Sequence, residues 1–172
     1  MRAKAIHELT AADVMRRGVV VPKEMTLRGA ARLMAEGRVG AAAVTDARGR
    51  CAGLLLAAAL VRWLADGRPA GPDPASVWSE WQMTVPEAGT GDEVRRHMNP
   101  EPLTVAPDTP LVEVGRRALG DPSRRAVVID GQHRPLGVVS SADVLSAFLS
   151  APRRLGGRDR AATAIREALA SG

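Results

Sequence analysis

Two stretches of equal length decide the fold: LRGAARLMAEGRVGAAAVTDARGRCAGLLLAAALV at residues 27–61 and LVEVGRRALGDPSRRAVVIDGQHRPLGVVSSADVL at residues 111–145. They align without a gap at an offset of 84 residues. Leu27, Arg32, Ala42, Val44, Asp46, Arg50, Gly53 and Ala58 then stand opposite Leu111, Arg116, Ala126, Val128, Asp130, Arg134, Gly137 and Ala142. One residue of slippage upstream also brings Met15 opposite Met98. Self-similarity at a fixed spacing marks a chain assembled from repeated supersecondary units, and this chain reads as two copies of one unit.

Each copy presents the same order of signals. A short β stretch ending at Pro22 or Pro107 leads into an amphipathic helix, whose start is marked by Thr26 in the first copy and by Asp108-Thr109-Pro110 in the second. A strand follows, at 43–45 and 126–129, then a turn at 46–49 or at Asp130-Gly131, then a second strand at 52–56 and 136–139. The closing helix begins near Ala57 in one copy and after Ser140-Ser141 in the other. The expectation is an α+β fold of two β-α-β-β-α repeats, residues 11–65 and 92–150. Between them, residues 66–91 form an insert that is rich in Pro and Gly at its start and carries Trp78 and Trp81. A spacing of three lets the two indoles share a helical face and pack on the main body; a lid or a partner contact is the alternative. Residues 151–172 read as a tail, an Arg- and Gly-rich exit followed by a weakly amphipathic helix at 161–170.

Composition removes several function classes. No apolar run reaches the ~18 residues that a membrane span needs, and the first ten residues lack the apolar stretch and cleavage site of a secretory signal. The single cysteine, Cys51, cannot form an internal disulfide and reads as a small buried hydrophobe, which suits a reducing cytoplasm. The net charge of +5 comes from 24 basic and 19 acidic residues. With no Tyr and one Cys, little titrates between His and Lys, so the pI near 10.8 overstates the basicity. The pairs Arg16-Arg17, Arg95-Arg96 and Arg153-Arg154 raise nucleic-acid binding, but aromatics at 2% leave few surfaces for bases to stack on, and such a partner is not expected. His7, His97 and His133 lie far apart, with no nucleophile signature, no metal-ligand cluster and no phosphate loop. No catalytic residue and no metal site is expected, and the chain reads as something other than an enzyme.

The informative segment is Gly137-Val138-Val139-Ser140-Ser141-Ala142-Asp143, preceded by Arg124-Arg125 and an apolar strand. Ser140, Ser141 and Asp143 are what an ordinary helix start requires, a hydroxyl cap and an acid favoured by the helix dipole. The same residues also set backbone N–H groups, a hydroxyl and a carboxylate at a strand-to-helix junction. There an anionic ligand is stabilised by the amides and vicinal ribose hydroxyls can donate to the acid. Arg124 and Arg125 supply fixed charge for a phosphate, or else a solvated strand end.

Two copies of β-α-β-β-α, each opening near a Met and the second closing with Gly-apolar-x-Ser-x-x-Asp, resemble a tandem pair of CBS domains, a family named after cystathionine β-synthase. The resemblance runs over about residues 11–149, interrupted by the insert. It implies two repeats packed as a pseudo-two-fold pair with one ligand site in the cleft between them. Val138, Ser140, Asp143, Arg124 and Arg125 would lie on its ribose-phosphate side, and Val19, Val39 and Gly40 would wall the base. It further implies AMP, ADP, ATP or S-adenosylmethionine as a regulatory ligand with no obligatory cofactor, a homodimer, and output through a separate effector protein. The first copy departs from the pattern: in Gly53-Leu54-Leu55-Leu56-Ala57-Ala58-Ala59, Leu56 stands where the Ser belongs and Ala59 where the Asp belongs. The mirror-image cleft is therefore expected to hold no nucleotide. A ligand-free pair serving only dimerisation or protein contact is the competing expectation.

Overall fold

The structure is a computed structural model that describes residues 6–66 and 92–150. The Trp78/Trp81 turn and the C-terminal helix expected from the sequence lie outside the described residues. A short 3-10 turn at Ile6–Glu8 precedes α1 (Ala11–Val14), β1 (Val20–Pro22), α2 (Leu27–Glu36), β2 (Ala41–Thr45), β3 (Cys51–Leu56) and α3 (Ala57–Ala65). After a second 3-10 turn at Val94–Arg96 come β4 (Thr104–Val105), α4 (Leu111–Leu119), β5 (Arg125–Ile129), β6 (Pro135–Ser140) and α5 (Ser141–Ser150). The fold is α+β, with two three-stranded sheets ordered β1-β2-β3 and β4-β5-β6. In each, the outer strand runs parallel to the middle one and the third strand antiparallel to it. The hairpin strands begin one or two residues earlier than the sequence signals suggested, and β4 stops at Val105, two residues short of Pro107.

Local chemistry accounts for these elements. The Thr26 hydroxyl accepts the Gly29 N–H and caps α2. Leu27, Ala30 and Met34 in α2, like Leu111, Val114 and Ala118 in α4, recur at three- and four-residue spacing and turn one face of each helix into a core. Both hairpin turns are held by an aspartate. Asp46 Oδ1 accepts the N–H groups of Arg48 and Arg50, and Asp130 Oδ1 those of Gln132 and Arg134. The residue in the left-handed region is Gly49 (φ 76°) in the first turn but His133 (φ 62°) in the second. The turn expected at Asp130-Gly131 is present, yet Gly131 is not its left-handed residue, because the aspartate shapes the turn from its first position.

The two repeats exchange their leading segments. Thr10 bridges Pro110, and by the same symmetry Thr26 bridges Glu93. Ala11, with Leu9, Val14 and Met15 around it, joins the core built on Leu111, Val114, Ala126, Val128 and Val139. Val94 and Met98 join the core built on Leu27, Ala30, Val44, Leu55 and Trp63. Trp63 is anchored there by its Nε1–H, which donates to Asp92. A third cluster of Ala41, Ala43, Leu54 and Val127 joins the two sheets, the alanines allowing close approach. Each core is thus completed by chain from the other repeat, which makes the two halves one cooperative body rather than two beads.

Candidate functional site

The exchanged segments bring the connection before β1 against β6. Arg16 and Val138 exchange both backbone hydrogen bonds at 3.0 Å, and at the pseudo-symmetric place Asn99 and Leu54 do so at 2.9 Å. Gly137 and Gly53 make this contact possible. A Cβ on Gly137 would lie 2.7 Å from the Arg16 carbonyl oxygen, and one on Gly53 2.6 Å from that of Asn99. The glycine that opens the motif in both copies is therefore required by a neighbouring backbone.

Beyond the bridge the two copies diverge. At the junction of β6 and α5, Ser140 and Asp143 cap each other reciprocally. Asp143 Oδ2 accepts the Ser140 N–H at 2.9 Å and its hydroxyl at 2.6 Å, while the Ser140 hydroxyl oxygen accepts the Asp143 N–H at 3.2 Å. The other carboxylate oxygen, Oδ1, meets Arg16 Nε at 2.6 Å. The Asp143 side chain is 9% exposed and that of Arg16 77%. Burial alone would raise the Asp143 pKa; the hydrogen bonds from Ser140 and the Arg16 guanidinium outweigh it and hold the carboxyl below its ordinary value. An ionised, largely buried carboxylate thus sits where two repeats meet. Because the Arg16 side chain is exposed, the pair itself contributes only about 0–1 kcal/mol.

The structure distributes the expected site residues over three neighbouring groups. Ser140 and Asp143 are together and Val138 is the backbone partner of Arg16. Val19 and Val138 share the wall of a cavity of about 10 Å³ between the repeats. Val19 and Val39 approach each other beside Gly37, at 2.8 and 3.8 Å from a Cβ built there, and both pack on the first core. The Arg125 guanidinium lies 3.4 Å from a Cβ built on Gly40 and donates to the Ser123 carbonyl. Arg125 is the register partner of Ser140, and the Arg124 carbonyl accepts the Ser141 N–H.

Two features describe the surroundings of this junction. Of the first three amides of α5, those of Ser141 and Asp143 are already taken within the chain, so the helix start offers less free N–H than a bare strand-to-helix junction would. The cavity between Val19 and Val138, at about 10 Å³, holds at most a water. A roomier hollow of about 380 Å³, lined by Thr104, Pro107, Arg117 and Asp130 among others, lies beside β4 and contains none of the expected site residues. Its polar lining is engaged locally: the Arg117 guanidinium donates to the Thr104 carbonyl, and Asp130 Oδ1 accepts the N–H groups of its own turn.

Arg16 is the residue that sequence reasoning missed, having been seen only as half of a basic pair. Its one signal was the repeat itself, which sets the residue after Met15 opposite the residue after Met98. Among the described residues there is no group of His, Cys, Asp and Glu able to hold a metal ion, and no helix long and apolar enough to cross a membrane.

The sequence model of the CBS domain matches residues 11–66 and 93–150. No curated protein matches the chain. Among solved structures, the CBS-pair protein CBSX2 from Arabidopsis thaliana is 25% identical with a TM-score of 0.60, covering 81% of this chain and 94% of its own. CBSX2 in complex with AMP is also similar, at 23% identity and a TM-score of 0.61, covering 81% of this chain and 96% of its own. The CBS domain pair of MJ0100, in complex with 5'-methylthioadenosine and S-adenosyl-L-methionine, has the same fold at 15% identity and a TM-score of 0.63, with 81% and 95% covered. From the profile match, the paired sheets and the exchanged segments together, this chain belongs to the CBS domain family and carries two of its repeats in tandem.

Proposed function

We propose that the chain is a regulatory module, not an enzyme, that binds an adenine nucleotide or related adenosyl ligand between its repeats at the Asp143 side and signals to a separate effector protein. The observation that carries this reading is the buried, ionised Asp143 carboxylate at the meeting of β6 with the connection before β1. A carboxylate so placed can accept from two vicinal hydroxyls. Support also comes from relatives of the same fold that hold AMP, S-adenosyl-L-methionine or, for the cytosolic domain of the Mg2+ channel MgtE, ATP. Val138, Ser140, Arg124 and Arg125 form the ribose-phosphate side of this reading and Val19, Val39 and Gly40 the base side. Ligand binding there acts as a switch only through a difference in affinity between two arrangements of the repeats. Calorimetric titration with AMP, ADP, ATP and S-adenosylmethionine tests the reading. We expect about one ligand per chain, and no binding in Asp143→Ala; a folded protein that binds none of the four overturns it.

The second reading is a ligand-free pair in the cytoplasm that serves only dimerisation or protein contact. Val61 and Leu64 on α3, and Leu145, Phe148 and Leu149 on α5, are exposed apolar side chains. Scattered apolar groups are ordinary, but clusters on two helices fit a homodimer. A homodimer is compatible with both readings, and ligand titration separates them.

A further inference from the structure

Resting on the adenosyl reading above, we propose that Arg16 is a specificity-determining residue of the Asp143 site, making it select adenosine phosphates over both uncharged adenosine and the sulfonium cation S-adenosylmethionine. Nothing in the motif or in the repeat pattern assigns Arg16 a role; the contact between its Nε and Asp143 Oδ1 at 2.6 Å does.

A ribose diol docking on Asp143 competes with the guanidinium for Oδ1, because Oδ2 already takes two hydrogen bonds from Ser140. The Arg16 side chain is mostly in solvent and swings away at little cost. Its backbone cannot follow, since both main-chain bonds to Val138 pin it beside the motif. The displaced cation therefore stays at the rim of the site. A ligand carrying a 5'-phosphate gives it a new anionic partner and restores the lost ion pair as a charge-assisted contact. Adenosine offers it nothing, and a sulfonium places a second positive charge against it.

The surrounding charge points the same way. Arg17 adjoins Arg16 in the chain, Arg124 meets the start of α5 through its carbonyl, and Arg125 stands opposite Ser140 in the sheet. Of the carboxylates near these cations in the chain, Asp13 Oδ2 accepts from Thr10 and Asp121 Oδ1 from Ser123. At the pseudo-symmetric place in the other repeat the bridging residue is the neutral Asn99, paired with Leu54, and the motif carries Leu56 and Ala59 in place of the serine and aspartate.

The test is calorimetric titration of the full chain, Arg16→Ala and Arg16→Lys with adenosine, AMP and S-adenosylmethionine, with thermal unfolding to verify that each variant is folded. For the wild type we expect AMP to bind at least about tenfold more tightly than the other two. In Arg16→Ala, AMP should lose about that factor while adenosine holds or gains, so the three affinities converge; Arg16→Lys should return part of the preference, as a point charge. Equal weakening of all three ligands in Arg16→Ala, an unchanged AMP affinity, or a wild type that does not discriminate overturns the role of Arg16 and leaves the adenosyl reading standing. Absence of binding by all three, or binding that survives Asp143→Ala, overturns that reading and this inference with it.

Discussion

The junction of β3 with α3 and that of β6 with α5 share one backbone and differ in chemistry. In both, the first helical N–H donates to a carbonyl just before the middle strand, Ala57 to Gly40 and Ser141 to Arg124. Both are approached by the connection leading into the opposite repeat, and both admit it through a glycine. Yet α3 starts at Leu56 with no side-chain cap, whereas α5 starts with a reciprocal Ser140–Asp143 cap and an arginine laid across it. The uncapped copy reaches the same fold, so the architecture does not need the polar set. Helix capping accounts for the Ser140–Asp143 pair; the Arg16 contact adds an ion pair that a cap does not require.

That equivalence of backbone can be broken most forcefully at the glycines. Gly137→Ala and Gly53→Ala each drive a Cβ into a carbonyl oxygen of the opposite connection, and each should cost about 1–3 kcal/mol in urea unfolding. A loss in one repeat without the other would show that the two bridges are not equivalent. The difference in chemistry is sharpened by Asp143→Ala, which removes a cap and an ion pair and should cost about 1–2 kcal/mol at neutral pH. Its pH dependence follows from the depressed pKa. The stabilisation by Asp143 is fully present above the ordinary carboxylate value of 3.8 and is lost as pH falls through the lower folded value. The gap between wild type and variant should therefore narrow in acid, and a gap that widened there would contradict the ionised assignment. The smallest effect is expected for Leu56→Ser combined with Ala59→Asp, which writes the second motif into the first repeat. The gained cap and the lost apolar packing of Leu56 should offset to within about 1 kcal/mol. Ligand stoichiometry should stay at one per chain, because Gly40 and Ala41 stand at the places of Arg124 and Arg125 in the first repeat; a second equivalent of nucleotide would show that the serine–aspartate pair suffices.

The elements were legible because their signals are local. The spacing of Leu27, Ala30 and Met34, the Thr26 cap and the Asp46 and Asp130 turns each act within a few residues, and the repeat offset doubled every signal. The strand starts at Ala41 and Arg125 were less legible, since a small residue and a charged one carry little β preference and are held by their cross-strand partners Leu56 and Ser140.

By itself the sequence determined that the chain is built from two like units, in which order their helices and strands run, and which copy retains a serine and an aspartate at the last helix start. Only the tertiary structure decided that each unit finishes the other's core, that Gly137 is dictated by the Arg16 backbone, that Arg16 meets Asp143 across 127 residues of chain, and that the wall between Val19 and Val138 is nearly closed. The reason is one of range: propensity, capping and turn chemistry are settled between near neighbours, whereas an ion pair between distant segments exists only once two sheets and two exchanged segments have packed.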